Sequence, residues 1–369
     1  MSRFLLRMCT ILVALALSAH GLMAAEESDP FDAESFTAAA TGLMILQFSP
    51  EAQAMTLGLK VGDIITSYAG KAQTTQAGLI AAVKDNTAEV PVVVRRGDQT
   101  LTVTAKPGKL GVYLEAVAAG TTRSLPPDTH VAFVTDRLLT APIDTWYAFV
   151  IAGTKVGAEH AHLQRTGDRL TVTIEVMFDG GKRWGLNHMV ETGVLDVATP
   201  VPRVVTQVHE SPLSGFRSAG RWKDATTWEL TVDGRNDDGT PLHEVETSMP
   251  TGPLINDYSY SYLASVMPTT PGACHHTRTV VLNSAKPSIL SALLVVGPEE
   301  VSVDGQQLTA VRMEQRSLHG SAWIAWVKDG EIVKHDYSGD GKGGTIAYRT
   351  TQVKALAGLD PKLVPRTVR

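Results

Sequence analysis

The stretch that decides the fold of this chain reads SPEAQAMTLGLKVGDII and runs from Ser49 to Ile65. Its proline is favoured in the first turn of a helix, so the pattern predicts a short helix over residues 50–57. A predicted strand over residues 63–68 follows, and a short apolar strand over residues 42–48 precedes the stretch. Strand, helix and strand in quick succession predict a small domain of mixed α and β structure.

Helix and turn signals continue beyond this stretch. Thr74 or Thr75 predicts the N-cap of a second helix that ends near Lys84. Arg-Gly-Asp at residues 96–98 lies between two alternating segments and predicts a β-hairpin. These elements outline one domain over residues 41–118. Its predicted strands are Gly42–Phe48, Asp63–Tyr68, Pro91–Arg95, Thr100–Ala105 and Leu110–Leu114.

The domain resembles the PDZ family of bacterial envelope proteins over residues 41–118. The family pattern is SPxAxxxGL followed by xxGDxI, and both halves are present between Ser49 and Ile64. Ala69-Gly70-Lys71 departs from the pattern, because the family commonly has Asn-Gly there. The resemblance implies a small β-barrel with two helices and a groove that binds peptide or protein segments, above all a C-terminus.

In this family the loop that receives a peptide's carboxylate reads apolar-Gly-apolar and lies between two strands. No such loop precedes Gly42, so the resemblance implies a permuted domain in which this loop and the groove strand come last. An alternative is that the last strand only closes the sheet and the groove is blocked. The predicted peptide-binding residues are Lys109, Leu110, Gly111, Val112, Tyr113 and Leu114 on the loop and strand, and Gln76, Leu79, Ile80 and Val83 on the helix.

The remainder of the chain is different in kind. Between Arg169 and Phe178 apolar residues alternate strictly, which predicts a ten-residue strand. Asp-Gly pairs at 179, 233, 238, 304, 329 and 340 favour tight reversals. All six tryptophans lie in this part. The pattern predicts a large, mainly antiparallel β domain over residues 144–358, curved over an aromatic core.

The two chain termini and the segment between the two predicted domains complete the predicted organisation. Arg3 and Arg7 precede an apolar run that is too short to span a bilayer, which predicts a signal peptide over residues 1–25. The protein is therefore expected to be periplasmic or secreted. A flexible acidic tail over 26–40, a linker over 119–143 and a C-terminal tail over 359–369 complete the chain. No later stretch approaches 18 apolar residues, so we expect no membrane span after cleavage.

Composition excludes some classes of partner. The formal net charge is −5 and no basic block occurs, which argues against nucleic acid and anionic lipid. Cys9 lies in the predicted signal peptide, so Cys274 is the only cysteine left and an internal disulfide is excluded.

No residue pattern points firmly to chemistry. His160-Ala161-His162 lacks a third ligand, and Cys274-His275-His276 lacks a CxxC partner, so we predict neither metal nor cofactor. The nucleophile motif GxSxG is absent, so no catalytic residue is assigned. If the segment is a strand, alternation places Tyr258, Tyr260 and Tyr262 on one face. If it is a helix, only Tyr258 and Tyr262 align. For these tyrosines, packing in the core is favoured over lining a ligand site.

Three hypotheses of function follow. The first is an exported, non-enzymatic protein that binds an exposed chain end or extended segment of an envelope protein. In the second, the β domain carries a lipid or other apolar ligand, because its pattern is similar to the half-barrels of periplasmic lipoprotein carriers. The third is a metal-assisted enzyme of unknown reaction that would use Cys274, His275 and His276.

Overall fold

A computed structural model describes residues 34–48, 52–138, 142–181, 185–197, 202–210, 215–224, 227–235, 241–248, 254–256, 259–280, 290–318, 320–339 and 344–363. The predicted signal peptide and the first part of the acidic tail lie outside these residues. The chain forms two compact units, one over Gly21–Leu125 and another that contains Pro126–Arg369. Antiparallel strands dominate both units. A multidomain, β-rich fold is therefore confirmed.

The described residues of the small unit form one main sheet, a separate strand pair and two helices. In the main sheet the strand order is β6-β5-β3-β2-β7, with β4 paired to β3. The strands are β1 (Ser35–Thr37), β2 (Gly42–Phe48), β3 (Ile64–Tyr68), β4 (Lys71–Ala72), β5 (Val90–Arg96), β6 (Gln99–Ala105), β7 (Val112–Val117) and β8 (Thr122–Ser124). The helices are α1 (Gln53–Thr56) and α2 (Gln76–Lys84).

The pair β1–β8 corrects the predicted tail over 26–40 and the predicted linker over 119–143. Ser35 pairs with Ser124 in an antiparallel register, and the Ala38 N–H donates to the Thr121 carbonyl over 2.9 Å. The parts of the tail and linker nearest the domain therefore belong to it. Strands of three residues are too short to show a repeat of two in sequence, which is why the pattern indicated tail and linker instead.

The core of the small unit lies between the main sheet and α2. Thr75 caps this helix as predicted, since its hydroxyl accepts from the Gly78 N–H over 3.1 Å. Tyr68 is fully buried, and its hydroxyl accepts from the Asn86 amide over 3.1 Å. The buried cluster comprises Leu43, Ile45, Ala54, Leu59, Ile65, Tyr68, Leu79, Val92, Val94, Ala105 and Leu110.

A buried ion pair ties the Lys60–Ile64 turn to the sheet. The Asp63 carboxylate is 1% exposed and accepts two hydrogen bonds from the Arg96 guanidinium, at 2.7 and 2.8 Å. It also accepts from the Lys60 N–H over 2.9 Å. The pKa of Arg96 is raised, chiefly by its hydrogen bond to Asp63.

We expect Asp63→Ala to lower the free energy of unfolding of the small unit by about 3 kcal/mol, since Arg96 would lose a bidentate partner. Hydrogen exchange of amides in β3 and β5 measures this. Asp98→Ala, on the exposed hairpin turn, is the control and should change stability by less than about 0.5 kcal/mol. Equal protection in both variants would contradict the assignment.

The large unit is built on one sheet of 15 strands. Its strands are β9 (Ile143–Ile151), β10 (Thr154–Thr166), β11 (Arg169–Asp179), β12 (Leu186–Asp196), β13 (Pro202–Glu210), β14 (Gly215–Trp222), β15 (Trp228–Arg235), β16 (Pro241–Ser248), β17 (Leu254–Asn256), β18 (Cys274–Val280), β19 (Leu290–Val303), β20 (Gln306–Ser317), β21 (Gly320–Lys328), β22 (Glu331–Asp336) and β23 (Thr345–Thr350). The helices are α3 (Ser259–Val266) and α4 (Gln352–Leu356), and a 3-10 turn spans Thr135–Leu138.

The strand order is β16-β15-β14-β13-β12-β11-β10-β9-β23-β22-β21-β20-β19-β18-β17, antiparallel except for the last pair. Strand β17, at the far end, nevertheless contacts β13, so the sheet curls back on itself. Its interior face is the one that carries Leu170, Val172, Ile174, Val176 and Phe178, all buried as the alternation in β11 predicted.

Helix α3 packs against this interior face. Tyr260 and Tyr262 are at most 1% exposed, and the Tyr260 hydroxyl lies 2.8 Å from the Thr277 hydroxyl. The Tyr262 hydroxyl donates to the Val197 carbonyl over 3.2 Å. Both side chains are therefore core residues. Tyr258 lies outside the described residues. Among those that are described, no helix combines the length and apolar character that crossing a bilayer requires.

Candidate functional site

Strand β7 lies at one end of the main sheet in the small unit. It pairs with β2 on one side, and within the described ranges no strand pairs with its other side. Helix α2 contacts β7 instead. The outer edge of β7 and the helix therefore border a gap. An unpaired sheet edge of this kind is where proteins that bind by β-strand addition take up an extended segment.

One contact defines which backbone groups point into this gap. The Gln76 side-chain amide donates to the Leu114 carbonyl across it. Since the N–H and C=O of one strand residue point the same way and alternate along the strand, Val112, Leu114 and Ala116 point outward. Tyr113 and Glu115 direct their backbone groups toward β2.

One face of α2 borders the gap. Gln76, Ile80 and Val83 follow the spacing i, i+4 and i+7, so they share the face that the Gln76 contact turns toward β7. Ile80 is 67% exposed, the most exposed large apolar residue described in the small unit, and Val83 is half-buried. Leu79, predicted as a peptide contact, is 3% exposed and lies in the core. Helix geometry explains this, because Leu79 projects from a different side than Ile80.

The loop before β7 is held in place by α1. The Gln53 side chain makes two hydrogen bonds to the Lys106 backbone, at 2.7 and 3.3 Å. The Ala54 N–H donates to the Leu110 carbonyl over 3.0 Å. Gly111 has φ +74°, which only glycine adopts readily. The conformation of the predicted carboxylate loop is therefore fixed before any ligand arrives.

The remaining predicted contacts lie along this loop and strand. Lys109 is exposed, whereas Leu110 is buried with its side chain in the core. Val112 and Leu114 are half-buried and pack against the same core. Tyr113 is half-buried. The structure thus brings Gln76, Ile80 and Val83 next to the outward backbone groups of Val112 and Leu114. Leu79 and the Leu110 side chain serve the core, and Tyr113 directs its backbone toward β2.

The two histidines of the first candidate metal pair, His160 and His162, lie on one face of β10. Asp144 lies between them, with its carboxylate 2.7 Å from His160 Nε2 and 3.9 Å from His162 Nδ1. The His160 ring stacks on Trp146 with ring centroids 4.2 Å apart. Within the described part of the chain, no group of three or more His, Cys, Asp or Glu has the arrangement that holds a metal ion.

The second candidate pattern, Cys274-His275-His276, is divided between the two faces of β18. His275 faces the interior, where its ring meets Phe133 edge-on at 4.9 Å. Cys274 and His276 point the other way and contact the Pro126 carbonyl. Burial raises the pKa of the Cys274 thiol to about 11. The three side chains therefore do not converge on one point.

A buried polar cluster in the large unit was missed by sequence reasoning. Glu159 is 1% exposed and accepts a hydrogen bond from the Tyr337 hydroxyl over 2.6 Å. Its other oxygen lies 3.3 Å from Nε2 of His335, which is 2% exposed. The Trp323 indole donates to His335 Nδ1 over 3.4 Å, so the neutral ring carries its proton on Nε2. The sequence did carry one signal. Glu159 is two residues from Ala161 on the same strand, so the two side chains lie on the same buried face.

The position of helix α3 bears on the hypothesis that the β domain carries an apolar ligand. Within the described residues, α3 and its tyrosines occupy the interior that a lipid would need. An acyl chain that lay against the strands which α3 contacts, β17, β21 and β22, would therefore have to displace the helix. Native mass spectrometry of protein purified from its host tests for such a ligand.

Comparison of the sequence with protein-family models and with curated proteins gives no match.

Proposed function

We propose that this is an exported, non-enzymatic protein whose small unit is a permuted PDZ-like domain. In this proposal it binds the C-terminus or an extended segment of an envelope protein, in the periplasm or outside the cell. The observation that carries the proposal is the outer edge of β7, which faces Ile80 across the gap and has no strand partner among the described residues.

A bound segment would extend the sheet beside β7. Its backbone would pair with the outward groups of Val112 and Leu114, and its side chains would contact Ile80 and Val83. A terminal carboxylate would lie at the loop formed by Leu110 to Val112, where backbone N–H groups and the glycine conformation suit an anion. Exposed lysines 106 and 109 would add positive charge nearby.

Gln76 gives this edge a partner of its own in the absence of a ligand. Its amide donates to the Leu114 carbonyl, which is one of the groups a bound strand needs. A carbonyl oxygen has two lone pairs, so Gln76 can share this acceptor or release it. The Leu114 carbonyl consequently has a partner, while the edge of β7 has no strand partner among the described residues.

The interaction energies suggest transient binding. Three or four backbone hydrogen bonds contribute about 1 kcal/mol each. One buried apolar terminal side chain adds about 2 kcal/mol. After the loss of association entropy, the balance corresponds to a dissociation constant around micromolar.

Titration of the full chain with a library of short peptides tests the proposal. We expect saturable binding of a subset with free C-termini, and at least about tenfold weaker binding to their C-terminal amides, since a charged hydrogen bond would be lost. Ile80→Asp should weaken binding by a similar factor, because it places a charge in the apolar gap.

Val353→Asp is the matched control, because Val353 is 80% exposed on helix α4 of the other unit. Both variants exchange an exposed helical aliphatic residue for aspartate, so stability should be the same. If no peptide saturates, or if Ile80→Asp binds like the control, the proposed groove is wrong.

A further inference from the structure

Four buried polar atoms lie on the interior face of strands β13 to β15 without a hydrogen-bond partner among the described residues. They are Gln207 Oε1, His209 Nδ1, Ser218 Oγ and Trp228 Nε1. Each of these side chains is at most 5% exposed. Buried polar groups are nearly always hydrogen-bonded, so four on one face of three neighbouring strands require an explanation.

The strand register brings these atoms into one patch. Gln207 pairs directly with Ser218 across β13 and β14, which places their Cβ atoms about 5 Å apart. His209 is two residues from Gln207 and therefore lies on the same face. The indole of Trp228 covers Gly220, two residues from Ser218, so closely that a Cβ there would collide with the ring.

The same register shows that this patch belongs to the interior face. Gln207 pairs with Glu191 of β12, and Glu191 pairs with Ile174, which lies in the main core. The patch is flanked by a second apolar cluster on the same strands. Its buried members are Val205, Phe216, Trp228, Leu230 and Val232.

A neighbouring carboxylate fixes the orientation of the Gln207 amide. Its nitrogen donates to Glu191 Oε2 over 3.2 Å, and it also lies 3.3 Å from the Met189 sulfur. A carboxylate accepts from an amide nitrogen, whereas an amide oxygen in that place would face another acceptor. Gln207 therefore presents its oxygen to the patch, as a hydrogen-bond acceptor.

We propose that this patch binds a neutral small molecule with an apolar body and a polar group that both donates and accepts hydrogen bonds. Trp228 Nε1 can only donate, Gln207 Oε1 can only accept, and Ser218 can do either. A primary amide or a hydroxyl group matches this set. The neighbouring Glu191 disfavours an anion, because a carboxylate or phosphate would be repelled in a buried place.

This site goes beyond the proposed function, since it lies in the large unit and shares no residue with the β7 groove. The competing explanation is a set of ordered waters that satisfies the four atoms for structural reasons alone. The two explanations differ in how the protein responds when one of the groups is removed.

The test uses the full chain and three probes of equal length: hexanamide, 1-hexanol and hexanoate. Ligand-observed NMR should show saturable binding of hexanamide and 1-hexanol in competition with each other. Hexanoate should bind at least about tenfold more weakly. Ser218→Ala and Trp228→Phe should each weaken hexanamide about fivefold or more, because each removes a hydrogen-bonding group.

The control is Thr206→Ala, which removes a hydroxyl from the residue beside Gln207 on the other face of β13. It should leave hexanamide binding unchanged. The melting temperature of Ser218→Ala without probe should equal or exceed that of the wild type, since a hydroxyl without a partner is removed. A lower melting temperature would indicate structural water and overturn the proposal. So would hexanoate binding as well as hexanamide, or no saturable binding of either neutral probe.

Discussion

Glu159→Ala is expected to lower the free energy of unfolding of the large unit by about 3 kcal/mol, because a hydrogen bond to a buried carboxylate is lost. The substitution removes the buried carboxylate that accepts from the Tyr337 hydroxyl and lies 3.3 Å from His335 Nε2. The Tyr337 hydroxyl would lose this hydrogen bond, and the buried His335 ring would lose the carboxylate beside it. Tyr147 lies in the same place: burial raises the pKa of its hydroxyl, and Glu159 raises it further.

Chemical denaturation followed by tryptophan fluorescence measures this effect. All six tryptophans belong to the large unit, so the signal reports its unfolding and not that of the small unit. Glu159→Gln keeps the volume and an acceptor for Tyr337, and should lose distinctly less stability. Glu175→Ala, which removes the partner of the half-exposed His188, should lose about 1 kcal/mol. If Glu159→Ala lost less stability than Glu175→Ala, the contacts of the Glu159 carboxylate would contribute no net stability.

The second large effect is a loss of stability of the folded protein in acid, which we attribute to His209. Burial, and then the charge of nearby His188, lowers the pKa of His209 from 6.5 to about 4. Between these two values the unfolded chain binds a proton that the folded chain does not, so stability falls as the pH is lowered through this window. At about 1.4 kcal/mol for each pH unit, the contribution of His209 reaches about 3 kcal/mol.

The measurement compares the wild type with His209→Gln at pH 7 and pH 4.5. The variant has no group that titrates there, so its stability should fall by less over the same interval. His188 contributes with the opposite sign, because its hydrogen bond to Glu175 raises its pKa and favours the folded state below pH 6.5. It is present in both proteins and largely cancels in the comparison. Parallel stability curves would contradict the expected role of His209.

Much of the fold could be predicted from local signals. Thr75 followed by apolar residues gave the bounds of α2, and strict alternation gave β11, because each depends on neighbours along the chain. The pair β1–β8 could not be predicted, since it joins segments 85 residues apart. Helix α3 was ambiguous because its tyrosines alternate as they would on a strand. Residues 262–266 are all buried, which weakens the amphipathic signal of a helix.

The site was predicted only in part, for a similar reason. Residue types and spacing indicated Gly111, Ile80 and the groove strand. They could not reveal which backbone groups point outward, because that depends on pairing with β2. Nor could they separate Leu79 from Ile80, since both are aliphatic neighbours on one helix. The patch around Gln207 depends entirely on strand register, which the sequence does not display.

An unpaired strand edge also carries a hazard, because it can template the stacking of further chains into fibrils. Helix α2 limits this hazard in β7. The helix lies alongside the edge of β7, so one incoming strand would occupy the gap between them. A second strand would then meet the helix and not the free N–H and C=O groups of the first. In the proposed function, the arrangement that would admit a bound segment would therefore also stop growth after that one segment.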